Sequence, residues 1–241
     1  MRKTLFPKDL IILAGGLGTR LKEMVNNVPK PMADINGHPF LKYQLEYWVI
    51  AGIETFHILI GYKGDIIKEY FGKKFMTSEI KYYHENEPLD TGGALKNFFL
   101  NFENAPKNIS LINGDTWLNI DFVKLNSDLS EINNPITIVG LEIDMNDRYG
   151  SILLDNLNVK DFGPPTNQKD KINGGLYIFD TFFLKNYLEN SNSNKFSLEK
   201  KVIPDLVKQN KVSFSNSILN FIDIGIPNDL IKFRKLYKKK F

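Results

Sequence analysis

Asp9-Leu10-Ile11-Ile12-Leu13-Ala14-Gly15-Gly16 is the stretch that decides the fold. A short, unbroken apolar run stopped by glycines reads as a strand buried on both faces, the kind found in parallel sheets. Working outward, residues 40–51 carry Leu41, Leu45, Trp48 and Val49 at helical spacing and stop at Gly52. Residues 56–60 read as a second buried strand ended by Gly61, and 65–71 as a short helix ended by Gly72. Residues 80–83 form a weaker strand, 94–102 a helix, and 109–112 a buried strand running into Asn113-Gly114-Asp115. Strand and helix alternating with short turns predicts a parallel sheet covered by helices on both faces.

The second half is richer in strands. Residues 135–143, 151–154 and 176–179 read as strands, with a loop at 163–170. A polar link at 190–194 leads into a helix at 198–209; 211–214 and 219–222 read as a final strand pair, and Pro227 opens a C-terminal helix. No internal repeat or low-complexity tract interrupts the chain. The expectation is one core sheet with a mixed, strand-rich subdomain, not separate domains.

At 241 residues the chain is one large domain by the rule of roughly 150 residues each. Its 42% hydrophobic and 24% charged residues are ordinary globular values, which excludes global disorder. With no Cys there are no disulfides, thiolate metal sites or Cys nucleophiles, which fits a reducing cytoplasm. No apolar run reaches the ~18 residues of a membrane helix, and Lys8-Asp9 interrupts any signal-like stretch after Met1-Arg2-Lys3. A soluble protein without membrane insertion is expected. The last ten residues hold six basic groups and no acid, and without them the +3 chain becomes −3. That balance gives no general nucleic-acid surface, and the tail reads as a solvated helix end whose cations suit the helix dipole.

Chemistry concentrates after the first strand. In Leu13-Ala14-Gly15-Gly16-Leu17-Gly18-Thr19-Arg20-Leu21 the glycines let backbone N–H groups approach an anion closely. It is not a dinucleotide fingerprint, since the position three after Gly18 is Leu21, and not a P-loop, since Gly18 is followed by Thr19-Arg20. An isolated Gly-Gly is commonly a structural turn. Here the same loop carries Arg20, able to fork onto phosphate oxygens, and Lys30, held between Pro29 and Pro31 as a point charge.

Residues 14–21 through Pro29-Lys30-Pro31-Met32 resemble the signature of sugar-1-phosphate nucleotidylyltransferases. The resemblance continues, in the family's order, with Glu87-Pro88-Leu89-Asp90-Thr91-Gly92-Gly93-Ala94, Asn113-Gly114-Asp115 and Phe221-Ile222-Asp223-Ile224-Gly225-Ile226-Pro227. It spans nearly the whole chain, and within the family the Pro-Leu-Asp-Thr-Gly-Gly-Ala run is most similar to D-glycero-α-D-manno-heptose 1-phosphate guanylyltransferases. The resemblance implies a Rossmann-like α/β nucleotidyltransferase fold in a single domain, 1–241. Residues 1–125 would form its nucleotide-binding half and 126–241 its sugar-binding half with the C-terminal helix.

The implied reaction condenses a nucleoside triphosphate with a sugar 1-phosphate to NDP-sugar and pyrophosphate, supplying capsule polysaccharide or lipopolysaccharide. Arg20 and Lys30 would be catalytic with Asp115, and Leu13, Ala14, Gly15, Gly16, Gly18, Thr19, Thr91, Gly92 and Gly114 would line the nucleotide. Asp115 and Asp223 both end strands, where ligands of such sheets gather, and together they could hold Mg2+; singly, each could be a turn cap. Glu85 and Glu87 occupy the place where relatives read the base. Guanine's N1–H and 2-amino donors suit a carboxylate, although both could be solvated loop acids and Asn86 could serve a pyrimidine.

On the sugar side, Tyr149, Gly150, Asn173 and Gly174 match pocket segments, or alternatively serve turn chemistry. A Lys that many relatives place before the Asn-Gly-Gly segment is missing from Asp161-Phe162-Gly163-Pro164-Pro165, so Lys160, Lys169 or Lys171 is expected to replace it. His38, His57 and His84 lack metal spacing; His57 reads as strand packing and the others as loop residues. Two other readings stand: transfer of a cytidylyl, uridylyl or thymidylyl group to another sugar phosphate or to phosphocholine caged by Trp117, Tyr149 and Tyr177, and a non-catalytic nucleotide-sugar-binding subunit. A homo-oligomer is left open.

Overall fold

The structure is a computed structural model that describes residues 5–16, 28–103, 105–144, 148–166 and 168–238. The chain divides into two compact units, interleaved in sequence. The β1 unit gathers Lys8–Pro88, Ile112–Trp117 and Phe221–Phe241. The β9 unit gathers Met1–Pro7, Leu89–Leu111 and Leu118–Asn220.

In the β1 unit, β1 (Asp9–Ala14) pairs in parallel with β4 (Thr55–Ile60), and β4 in parallel with β6 (Ser78–His84). A short β5 (Lys74–Phe75) closes the edge antiparallel to β6. The crossovers are α1 (Phe40–Ile50) and α2 (Gly64–Phe71), as the apolar periodicity predicts. Leu10, Ile11 and Ile12 are wholly buried, which confirms the two-sided burial expected of an uninterrupted apolar strand.

A two-stranded ribbon, β2 (Asp34–Ile35) with β3 (His38–Pro39), precedes α1. The C-terminal helix α7 (Pro227–Lys238) returns to this unit and stacks Phe233 on Phe40 and Tyr43, at ring separations of 4.9 and 6.0 Å. Each such fully buried aromatic contributes about 1.5–3 kcal/mol.

The β9 unit is built on β9 (Ile136–Ile143), flanked by an antiparallel β12 (Asp170–Asp180) and a parallel β13 (Val212–Asn216). β10 (Ser151–Asp155) and β11 (Asn158–Gly163) form a bulged antiparallel pair beside them. β7 (Asn108–Asn113) starts in this unit and ends in the other.

Several expectations need correction. The helix expected at 94–102 is α3 (Asp90–Leu100), so Thr91-Gly92-Gly93 is its first turn and not an open loop. The expected final strand pair does not form. β13 pairs with β9, whereas β14 (Ile218–Asp223) pairs with β8 (Thr116–Ile120). β8, α4 (Phe122–Glu131) and α5 (Thr181–Glu189) were not foreseen, although Asp121 and Asp180 cap the two helices by accepting from Lys124 N and Phe183 N, both at 2.9 Å.

Candidate active site

Parallel strands put their C-terminal ends on one edge, and in the β1 unit that edge carries Gly15 after β1, Gly61 after β4 and Glu85 after β6. A Cβ on Gly15 would collide with the Glu85 carboxylate, and one on Gly61 would lie 2.7 Å from its Oε1. Glu85 thus lies in a notch that only glycine permits, and its main-chain N–H is held by Ile60 O at 2.9 Å. Glu87, two residues on, is solvent-exposed. Gly15 is half-buried and Gly16 exposed on the same edge, with clear space around Gly16.

β7 ends on this edge too. Gly114 N–H donates to Leu13 O at 2.9 Å, and an added Cβ would lie 2.6 Å from that oxygen and 3.2 Å from the Pro31 ring. Close approach therefore explains the glycine, and it places the following Asp115 beside the end of β1.

Lys30 opens a 3-10 turn, Lys30–Met32, behind an extended Pro29. Its ammonium bonds Asp115 Oδ2 and lies 3.8 Å from Asp223 Oδ1. Asp223 is the last residue of β14, and its Oδ1 accepts the Gly225 N–H at 2.7 Å. Ile224 N–H, one residue on, donates to Asp115 O at 3.0 Å, so the two aspartate-bearing turns are fastened together. The structure brings Asp115, Asp223 and Lys30 together, two carboxylates converging on one ammonium. Arg20, Gly18 and Thr19 lie outside the described residues.

Other expected site residues have local structural partners. Thr91 Oγ1 donates to Glu199 Oε2 at 2.7 Å and accepts from Leu198 N at 2.8 Å. Gly92 and Gly93 N–H both donate to Phe196 O, and a Cβ on Gly92 would penetrate the Phe196 ring. Asn173-Gly174-Gly175 is a bulge within β12 and not a hairpin turn: pairing with β9 shifts between Asn173 and Leu176, and Gly175 takes φ +73°. Asn173 accepts from Gly175 N at 2.9 Å and donates to the Tyr177 hydroxyl. Tyr149 lies under the Arg148 guanidinium at 5.0 Å, and Gly150 packs near Gly163 O and the Phe162 ring.

The candidate lysines are occupied by acids. Lys169 and Lys171 bond Glu142 at 2.9 and 3.4 Å, and Lys160 lies 3.6 Å from Asp155. The hydrogen bonds that Lys169 and Lys171 donate lower the pKa of the Glu142 carboxyl, and donating to Glu142 raises that of the Lys169 ammonium. Of the aromatic cage imagined for phosphocholine, Tyr177 is fully buried, with its hydroxyl pushed up by desolvation. Trp117 packs against the core of Phe233 and Tyr237. His57 is buried as expected, bonding Asp9 at 2.9 Å and Tyr83 at 3.3 Å, while His38 and His84 are exposed on strands. Sequence reasoning missed Gln44, a buried amide on α1 whose signal is a polar residue interrupting the helix's apolar face.

A parallel α/β sheet with a glycine turn, a lysine and two aspartates on one edge has the layout of a phosphate-transferring enzyme. Residues 9–240 match the Nucleotidyl transferase family, and the chain belongs to it. It is 38% identical over 230 residues to the D-glycero-alpha-D-manno-heptose 1-phosphate guanylyltransferase of Campylobacter jejuni, covering 92% of this chain and 97% of that one. It is 36% identical over 228 residues to the enzyme of the same name from Aneurinibacillus thermoaerophilus, covering 94% and 97%. Crystal structures of HddC from Yersinia pseudotuberculosis, alone and complexed with GMP-PN, match with TM-scores of 0.80 and 0.78 at 34% and 35% identity, each covering 95% of this chain and 99% of the other. Among the described residues no helix is long and apolar enough to cross a membrane.

Proposed function

We propose that this chain condenses GTP with D-glycero-α-D-manno-heptose 1-phosphate to GDP-heptose and pyrophosphate, in the cytoplasm, as a supply of activated sugar for surface glycans. The observation that carries this reading is the convergence of Asp115 and Asp223 on Lys30 beside the Gly15–Gly16 turn. In the reaction a sugar-phosphate oxygen attacks the α-phosphorus of GTP, and the α–β phosphoanhydride bond breaks as pyrophosphate leaves. The attacking oxygen is already anionic, so no Ser, Cys or His nucleophile is needed. What remains is to align two anions and neutralise developing charge, the work of fixed cations and backbone N–H groups.

Two carboxylates meeting at one cation suit Mg2+, which prefers one or two carboxylates and takes its other ligands from phosphates and water. Among the described residues no third His, Cys, Asp or Glu joins them, which matches that preference better than a closed protein cage. Asp115 and Asp223 would hold the ion, which when bound supplies charge stabilisation at the phosphates. Lys30 would then release one carboxylate and turn its ammonium to the α-phosphate. Arg20 would hold the departing pyrophosphate. Glu85, fixed in its glycine notch, would accept from guanine N1–H and the 2-amino group, and the names of the relatives support both GTP and the heptose. Lys169 or Lys171 would exchange Glu142 for the sugar phosphate.

Pyrophosphate release over GTP, CTP, UTP and dTTP, each with heptose, mannose and glucose 1-phosphates and phosphocholine, tests the reading; GTP with the heptose should turn over fastest. Asp115→Asn or Asp223→Asn should lower turnover on the order of 10²–10³-fold with the fold intact. Higher turnover with another base, or near-native rates in either variant, would defeat it.

A further inference from the structure

Gln44 is an anomaly on α1. The buried face of this helix otherwise presents Phe40, Leu41, Tyr43, Leu45 and Trp48, and Gln44 itself is 1% exposed. Its Nε2 donates to Asn113 O at 3.0 Å and to Thr116 O at 2.5 Å. Two carbonyl acceptors on one side fix the amide orientation, since the flipped form would set oxygen against oxygen. Both N–H groups are thereby used, and Oε1 is left buried with no hydrogen-bond partner among the described residues. A residue selected for helix packing alone would not leave a buried acceptor unpaired; an apolar side chain of the same length would remove that orphan and give up only the two bonds to the carbonyls, so those two bonds are what the amide is there to make.

The two carbonyls bracket Gly114 and Asp115. Asn113 O ends β7 and Thr116 O begins β8, so a single side chain ties both ends of the turn that presents Asp115. The turn's middle is held from two other directions, by Gly114 N–H on Leu13 O and by Ile224 N–H on Asp115 O. Those bonds are main-chain and follow from the fold. Thr116 Oγ1 donates to Asp115 Oδ1 at 3.3 Å from within the turn, whereas the Gln44 clamp reaches in from α1 and sets the backbone from which the Asp115 carboxylate projects.

We propose that Gln44 is a positioning residue for the metal-binding carboxylate: it clamps the Asn113–Thr116 turn so that Asp115 meets Asp223 at one ion. The inference rests on the reading of Asp115 as a metal ligand. Such outer partners act through the ligand's placement, and losing one typically weakens metal affinity by about 10–100-fold.

Gln44→Met keeps length and apolar volume and deletes both donors. Mn2+ binding in the presence of a non-hydrolysable GTP analogue, followed by electron paramagnetic resonance, should weaken about tenfold or more. The metal concentration for half-maximal turnover should rise in parallel, with kcat falling at saturating substrates while the GTP KM changes little. Thermal stability should fall no more than modestly, because two carbonyls lose a donor while the orphaned Oε1 is removed with it. Native Mn2+ affinity in Gln44→Met overturns the proposal, as does a lowered melting temperature with metal binding intact. Should that variant not fold, Gln44→Asn, one methylene short of both carbonyls, carries the same test with the same criteria. Asp115→Asn run alongside separates the two claims. If it binds Mn2+ normally, the metal assignment fails; if it loses Mn2+ while Gln44→Met does not, only the clamp fails.

Discussion

Replacing Lys30 with Met exposes how the two aspartates tolerate one another. In the structure the ammonium bonds Asp115 and lies 3.8 Å from Asp223, with the three side chains 16%, 30% and 22% exposed. A unit-charge pair at such a distance is worth about 4 kcal/mol at an effective dielectric near 20, before desolvation and screening are subtracted. Exposed pairs net about 0–1 kcal/mol, and breaking a buried pair costs about 3–5. Side chains of intermediate exposure should fall between, so Lys30→Met should destabilise the metal-free protein by about 1–3 kcal/mol. For a chain of this size that is a fall in Tm of roughly 2–12 °C.

The sign of the metal effect follows from the same charges. Without Lys30 the carboxylates lose the ammonium between them, so added Mg2+ should recover most of the lost Tm. The unmodified protein should gain less, because there the ion must first displace an ammonium. Turnover should still fall on the order of 10²–10³-fold with Mg2+ present, since the cation proposed to reach the α-phosphate is gone. Calorimetric unfolding with and without Mg2+, set beside pyrophosphate release, measures both. An unchanged Tm without metal, together with a rate close to that of the unmodified protein, would show that Lys30 neither holds the carboxylates nor serves transfer.

Glu85→Gln should erode the preference for GTP over UTP by about 1–3 kcal/mol, the cost of a buried donor left unpaired, read as the ratio of kcat/KM values; an unchanged ratio would place base reading elsewhere. Alanine at Lys169 or at Lys171 should raise the sugar-phosphate KM about tenfold in at least one case, the worth of a hydrogen bond to a charged group; two silent variants would leave that phosphate to Lys30 and the metal.

Much of the β1 unit was legible in the chain because its signals are local. Apolar runs stopped by Gly61, and an apolar helical stripe stopped by Gly52, mark strand and helix by residue type and period alone, and the observed β1, β4, α1 and α2 follow them closely. Strand-end Asp115 and Asp223, with Lys30 held by prolines, were legible as candidates because a carboxylate after a buried strand stands at the ligand edge of such a sheet. The start of α3 was not legible: Thr91-Gly92-Gly93 precede the helix expected at 94–102, yet they begin it, where the chain at Phe196 comes too close to Gly92 for a side chain. The caps Asp121 and Asp180 are the local signals for α4 and α5, two helices that the apolar pattern alone does not announce.

By itself the sequence determined the element types of the first half, the sheet's parallel sense, and the kinds of residue available for phosphate chemistry. Each of those is set by neighbours within a few positions along the chain. Tertiary structure alone decided which distant pieces meet. It sends β14 to β8 and not to β13, brings Phe221–Phe241 into the unit of β1, and so carries Asp223 to Asp115 and Lys30. It also turns an unremarkable glutamine on α1 into the clamp of the Asp115 turn. Hydrogen bonds and charge pairs between residues far apart in sequence leave no period behind, since their partners come together only when the core closes.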